Sequence, residues 1–213
     1  MIDETELRRK IVDFAGSFHR RGLTHGSSGN ISARLDDGGL VMTPTGSSFG
    51  TLDAGRLSRL DADGNHIGGD RPTKEIPLHR AFYASRPGTG AVVHLHSPFA
   101  TAFSMLSDVD PGDALPPLTP YSIMLLGKVR LLPYFRPGSP AIGEAIAALA
   151  GSAKAVLLAN HGPIVVGRTL EDAVNAMEEL EATARLFFLT RDCGAKRLTP
   201  AQVEELAANH GAA

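Results

Sequence analysis

Ala91-Val92-Val93-His94-Leu95-His96 is an apolar run that ends in two histidines one residue apart. The run reads as a buried strand, and on a strand residues i and i+2 face the same way, so His94 and His96 present two imidazoles to one side. Such a pair suits Zn²⁺, although exposed strand histidines also show this spacing. Two further residues bear on the choice. His161 follows a second apolar run in Leu157-Leu158-Ala159-Asn160-His161-Gly162, and Glu75 stands nineteen positions before His94. Three imidazoles and a carboxylate are the ligand types of a catalytic metal site, in which three protein ligands leave a coordination position open.

The composition narrows what such a site would serve. At 213 residues the chain is long enough for one sizeable core, and residues 1–213 are expected to form a single domain. Apolar residues at 43% and charged residues at 21% are ordinary for a globular protein. Twenty-one Lys and Arg against 23 Asp and Glu leave a net charge of −2, which points away from nucleic acid and anionic membranes and toward a small-molecule partner. Cys193 is the single cysteine, so neither an intrachain disulfide nor a Cys-x-x-Cys site is available, which favours a reducing compartment. No apolar stretch approaches the roughly 18 residues that span a bilayer, and Met1-Ile2-Asp3-Glu4-Thr5-Glu6 lacks the basic and apolar regions of a signal peptide. A soluble cytoplasmic protein is the expectation.

Around the histidines the chain alternates between strand and helix signals. Leu7, Ile11, Phe14 and Phe18 recur at helical spacing, with Asp3 and Glu6 fitting a capping box and Gly22 suiting the end. Strands are expected at Gly29 to Arg34 and Leu40 to Thr43 across a turn-rich Asp36-Asp37-Gly38-Gly39, and near Leu57 to Leu60. Helices are expected from about Thr73 to Ser85 and from Pro98 to about Met105, with an irregular, proline-rich connection over 107–120. Beyond it come a strand around Val129 to Leu132, a helix near Pro140 to Ala150, and strands at Ala155 to Leu158 and Ile164 to Val166. The longest helix is expected from Thr169 to about Arg191, with Val174, Met177, Leu180, Ala184, Phe187 and Phe188 toward the core, and a last one starts at Thr199-Pro200. Strands and helices mixed without strict βαβ alternation predict an α/β layered fold with a central, mainly antiparallel sheet flanked by helices.

Three clusters of small residues accompany the histidines: Gly26-Ser27-Ser28-Gly29-Asn30, Thr43-Pro44-Thr45-Gly46-Ser47-Ser48 and Pro72-Thr73-Lys74-Glu75. Each offers N–H groups and hydroxyls without bulk, and the third lies at a helix N-terminus, where the dipole attracts anions. Together they are fit to cradle a phosphate; singly each reads as an ordinary turn. His79 follows Glu75 by one helical turn and is expected to support the site or pack behind it rather than ligate. Arg136, within Phe135-Arg136-Pro137-Gly138, reads equally as a carboxylate contact or a residue at a subunit boundary.

With these motifs assembled, Ser28-Gly29-Asn30-Ile31-Ser32, Thr43-Pro44-Thr45-Gly46, Glu75, His94-Leu95-His96 and Asn160-His161-Gly162, over about residues 5 to 192, the sequence resembles the class II aldolase/adducin family. The resemblance implies that family's layered fold, a homotetramer, and one Zn²⁺ per subunit, or another divalent metal, on His94, His96 and His161. It implies that Glu75 is the catalytic acid and can also ligate the metal, that Tyr121 is an active-site tyrosine, and that Gly29, Asn30, Thr45, Gly46, Thr73 and Lys74 bind the substrate phosphate. Within the family, Pro72-Thr73-Lys74-Glu75, His94-Leu95-His96-Ser97, Leu115-Pro116-Pro117-Leu118-Thr119-Pro120-Tyr121, Pro133-Tyr134-Phe135-Arg136-Pro137-Gly138 and Ala159-Asn160-His161-Gly162-Pro163 are similar to 3-oxo-tetronate 4-phosphate decarboxylases of four-carbon acid sugar catabolism. The implied reaction releases CO₂ and leaves the enediolate of dihydroxyacetone phosphate, the species that a fuculose-phosphate aldolase also makes. A zinc ketose-phosphate aldolase and a sugar-phosphate epimerase are the alternatives on the same scaffold. A non-enzymatic adducin-type module is disfavoured, because it is expected to lack the ligands that this chain retains.

Overall fold

The computed structural model describes residues 3–149 and 151–210. Eight strands form one sheet: β1 (Asn30–Arg34), β2 (Leu40–Met42), β3 (Ser58–Leu60), β4 (His66–Gly68), β5 (Ala91–His94), β6 (Val129–Leu132), β7 (Ala155–Leu158) and β8 (Gly162–Gly167). Their order is β4-β3-β2-β1-β5-β8-β7-β6. Every neighbouring pair is antiparallel except β6 with β7. The expected α/β fold with a mainly antiparallel sheet is therefore the one found.

Alternation along the strands divides the core in two. Ala91, Val93, Ala155, Leu157 and Val165 face one side, where they pack with α1 (Glu4–Arg20), α3 (Pro98–Phe103) and α6 (Leu170–Thr190). Val92, Val156, Leu158, Ile164 and Val166 face the other, against α2 (Ile76–Ser85) and α5 (Pro140–Ala147). α1 buries Leu7, Ile11, Ala15 and Phe18, one stripe at helical spacing. α6 starts with a complete capping box between Thr169 and Asp172 and buries Val174, Met177, Leu180 and Ala184 as expected, with Phe187 and Phe188 partly buried against the same core. Two further helices, α4 (Pro120–Leu126) and α7 (Pro200–His210), complete the described chain. Among the described residues no helix is long and apolar enough to cross a membrane.

The differences from expectation are local. Asp3 stands at the N-cap of α1 without a side-chain cap bond, and Glu6 turns to Lys10 at 3.5 Å, so the capping box does not form. α2 begins at Ile76 rather than near Thr73, because the Thr73 hydroxyl accepts the Glu75 N–H at 3.2 Å and holds 73–75 in a turn. The connection over 107–120 leads straight into α4, where Thr119 accepts from Ser122 N and Pro120 takes the first helical position. β4 is an additional edge strand on β3. α5 ends at Ala147, and Ala150 lies outside the described residues.

Candidate metal centre

β5 ends at His94, so His96 lies two residues past the strand rather than on it. The extended path nevertheless continues, since the Leu95 N–H donates to Pro163 O at 3.2 Å, and alternation carries His96 to the side of His94. His161 arrives from the three-residue turn between β7 and β8, which pair at Leu158 and Gly162. Asn160 adopts φ 58°, a left-handed conformation that asparagine tolerates better than most residues. Gly162 packs so closely on the segment just past β5 that a Cβ would meet Leu95 O at 2.3 Å. Only glycine permits that approach, and the approach sets His161 against the other two rings.

The three Nε2 atoms form a triangle. His94 to His96 is 3.2 Å, His94 to His161 is 3.3 Å, and His96 to His161 is 3.1 Å. Glu75, the residue preceding α2, closes the group with Oε2 at 3.4 Å from His94 Nε2 and Oε1 at 3.5 Å from His161 Nε2. All four ligand atoms lie within 4.8 Å of one another. The His94 Nδ1–H donates to Pro163 O at 2.8 Å, which fixes the proton there and leaves a lone pair on Nε2. This is the arrangement by which metal-bound histidines are oriented through their other nitrogen. Glu75 Oε1 is buried without a hydrogen-bond partner. Tetrahedral zinc with Zn–N bonds of about 2.0–2.1 Å places its nitrogens about 3.3 Å apart, so the triangle fits a divalent cation.

Supporting contacts come from both faces of the sheet. On α6, Glu181 accepts from Phe99 N at 2.9 Å and Ala100 N at 2.8 Å, satisfying the first turn of α3 and anchoring the segment after His96. Sequence reasoning missed this carboxylate, although its place among Met177, Leu180 and Ala184 on the buried stripe marks it. Asn30 on β1 donates from Nδ2 to Glu75 Oε2 at 2.7 Å. Both ring nitrogens of His79 are engaged by Asn30 and Ser32, and it stands outside the group formed by Glu75 and the three histidines.

The three small-residue clusters meet at this end of the sheet. A Cβ on Gly29, at φ +86°, would lie 3.0 Å from His94 O. Thr45 N donates to Arg71 O at 2.9 Å, and Pro44 bridges Pro72, so the second cluster lies beside the third. Gly46, at φ +72°, borders open space, Thr73 is buried and Lys74 is exposed. Tyr121 is 63% exposed on α4, and no hydrogen bond or ion pair among the described residues joins it to the histidines or Glu75. Arg136 is exposed. A cavity of about 820 Å³ lies at the opposite end of β5 and β8, lined by Arg86, Lys154 and Arg168 among others, and shares no residue with the cluster.

Burial governs the charge states. It pushes His79 and His96 down to about 3 and His161 down to about 4, with His94 adding to each shift. Burial alone would raise the Glu75 carboxyl, but His94, the Asn30 N–H and His161 outweigh it, and the carboxyl sits below its ordinary value. These imidazoles are neutral in the folded chain and take up protons near 6.5 once unfolded. In metal-free protein the contribution of these three histidines is therefore fully present above pH 6.5 and is lost as the pH falls toward 4. The loss is about 1.4 kcal/mol per pH unit for the fully buried His79. Urea titrations of the chelator-treated protein from pH 7.5 to 4.5 check this; a flat profile would contradict it.

Comparison with known proteins agrees with the geometry. The 3-oxo-tetronate 4-phosphate decarboxylase of Haemophilus influenzae is 48% identical over 204 residues, 95% of this chain and 97% of that protein. The L-fuculose phosphate aldolase of Escherichia coli K12 is 34% identical over 191 residues, 89% of this chain and 86% of that one. The crystal structure of YgbL from Escherichia coli superposes with a TM-score of 0.93 at 46% identity, covering 95% of this chain and 98% of that chain. Residues 9–188 match the family described as Class II Aldolase and Adducin N-terminal domain, and this chain belongs to that family.

Proposed function

We propose that this chain is a carboxy-lyase that converts a 3-oxo-tetronate 4-phosphate to dihydroxyacetone phosphate and CO₂. The observation that carries the reading is the set of relatives bearing that decarboxylase name at 43 to 48% identity, each matched over 88% or more of its length. The fuculose-phosphate aldolases, at 34%, fit less well. The metal ligands proposed are His94, His96 and His161, with Glu75 beside them, and the metal proposed is zinc, one per subunit. When bound there, the ion supplies Lewis acidity, drawing charge from the substrate's oxo group as the bond to the carboxylate breaks.

The chain's own residues provide the rest. Gly29, Asn30, Thr45, Gly46, Thr73 and Lys74 are proposed to bind the phosphate, converting remote binding energy into orientation of the reacting carbons. Asn30 Nδ2 carries two N–H groups, of which Glu75 takes one. Glu75 enters ionised, takes up one proton from solvent water and delivers it to the carbon that has lost CO₂, so that the proton consumed overall comes from solvent. Tyr121, exposed on its own protomer, is proposed to act at the active site of a neighbouring one, in a homotetramer whose sites lie near subunit boundaries. Residues 1–213 are read as one domain, supported by the single sheet with a core on each face, and the proposed compartment is the cytoplasm.

Purified enzyme should release CO₂ and dihydroxyacetone phosphate from the 3-oxo 4-phosphate derived from D-erythronate or L-threonate. Condensation of dihydroxyacetone phosphate with aldehydes in the absence of CO₂ release would make it an aldolase instead. His96→Ala should abolish metal content and turnover together. Glu75→Gln should keep the metal and slow turnover on the order of 10²-fold or more. In D₂O this variant should lose stereospecific deuteration of the new hydroxymethyl carbon, and wild-type rate with wild-type stereospecificity would remove Glu75 from the proton transfer. Light scattering at micromolar concentration should give four protomer masses, and a single mass would contradict the tetramer.

A further inference from the structure

Behind Glu75, a line of buried polar groups runs between α2 and β1. Glu75, His79 and Tyr83 are spaced by four on the helix side, and Asn30 and Ser32 by two on the strand. Four helical residues rise about 6 Å and two strand residues about 6.6 Å, so the two rows stay in step. Asn30 Nδ2 lies 2.7 Å from Glu75 Oε2, and Asn30 Oδ1 meets His79 Nε2. Ser32 Oγ lies 2.7 Å from His79 Nδ1 and 2.9 Å from the Tyr83 hydroxyl. Asn30, Ser32, His79 and Tyr83 are all buried, His79 and Ser32 completely.

Chemistry fixes every proton in this line. An ionised carboxylate only accepts, so Asn30 must turn its NH₂ to Glu75 and its carbonyl to His79. His79 then carries its proton on Nε2 and accepts on Nδ1 from the Ser32 hydroxyl, which in turn accepts from Tyr83. No member has an equivalent alternative, because reversing one bond leaves two acceptors or two donors face to face in a buried site. A carboxamide does not pass a proton along, so the line holds Glu75 rather than supplying it with protons.

We infer that Asn30, His79, Ser32 and Tyr83 form a positioning ladder that fixes the orientation of the Glu75 carboxylate. His79 acts through Asn30 and is a positioning residue, not a metal ligand. The functional consequence rests on Glu75 being the proton donor proposed above; the ladder itself does not. With the chain in this order, Glu75 keeps one oxygen anchored while Oε1 stays free of hydrogen bonds for the site.

The ladder is read first in metal-free wild-type protein with ¹⁵N-labelled histidine. His79 should give a slowly exchanging ring N–H assigned to Nε2, and Glu75→Gln should shift it although Glu75 does not touch that ring. A His79 proton on Nδ1, or an Nε2–H signal unmoved by Glu75→Gln, would overturn the ladder. In the holoenzyme, Tyr83→Phe and His79→Leu should keep metal content and KM while lowering kcat about 10- to 100-fold and eroding stereospecific deuteration. His79→Gln, whose amide N–H can replace the Nε2–H donor, should recover much of the loss. Wild-type kcat and stereospecificity in both Tyr83→Phe and His79→Leu would reduce the ladder to packing. Wild-type turnover in Glu75→Gln would instead fail the proton-donor reading, with the ring N–H signal still deciding the ladder.

Discussion

Three imidazole Nε2 atoms held 3.1 to 3.3 Å apart crowd around one point in a largely buried site. The His94 Nδ1–H donates to Pro163 O, which turns its Nε2 toward the other two rings. A positive charge at the centre resolves the crowding, and the surrounding fold keeps the rings from relaxing apart. His94 is locked by the β1 and β8 ladders, His96 by the continued bond from Leu95 to Pro163 and by Glu181 beyond it, and His161 by the Asn160-Gly162 turn. The cost of desolvating these histidines is offset by the apolar packing on both faces of the sheet, where the strands next to the site are almost wholly buried.

The carboxylate is held by a different part of the structure from the imidazoles. The histidines depend on the pairing of β5 with β1 and β8 and on the turn between β7 and β8, whereas Glu75 is carried just before α2 and is anchored to the sheet through Asn30 on β1. One Glu75 oxygen is bound to Asn30 at 2.7 Å and the other is left without a hydrogen bond. Asn30 pairs with His94 across β1 and β5 and also binds Glu75, so the carboxylate's anchor and the strand that carries His94 are joined.

Much of this was legible in the sequence. Ala155–Leu158 has the bounds expected of it because it is apolar without interruption, Val129–Leu132 has them although Arg130 interrupts it, and α6 announces its start through Thr169 and Asp172. β4 carries no such signal: His66-Ile67-Gly68 is largely exposed at the sheet edge and is a strand only through β3. α4 is hidden because Pro120 follows three other prolines, so a helix-opening proline reads as more loop. His161 is visible as a candidate, but its meeting with His94 rests on a close approach at Gly162 that no local pattern encodes. The pairing of Asn30 with Glu75 and His79 needed the register between a strand and a helix 45 residues apart. Tyr121 entered only through family resemblance, and a lone protomer leaves it on the surface.

The central claim is that the three Nε2 atoms hold one divalent metal. X-ray absorption at the zinc edge on protein purified without added chelator tests it most directly. The account predicts about one zinc per chain, with a first shell of three imidazole nitrogens at about 2.0–2.1 Å and at least one oxygen. His94→Ala, His96→Ala and His161→Ala should each remove that shell. A shell without imidazole scattering, or one unchanged in all three variants, would contradict the account.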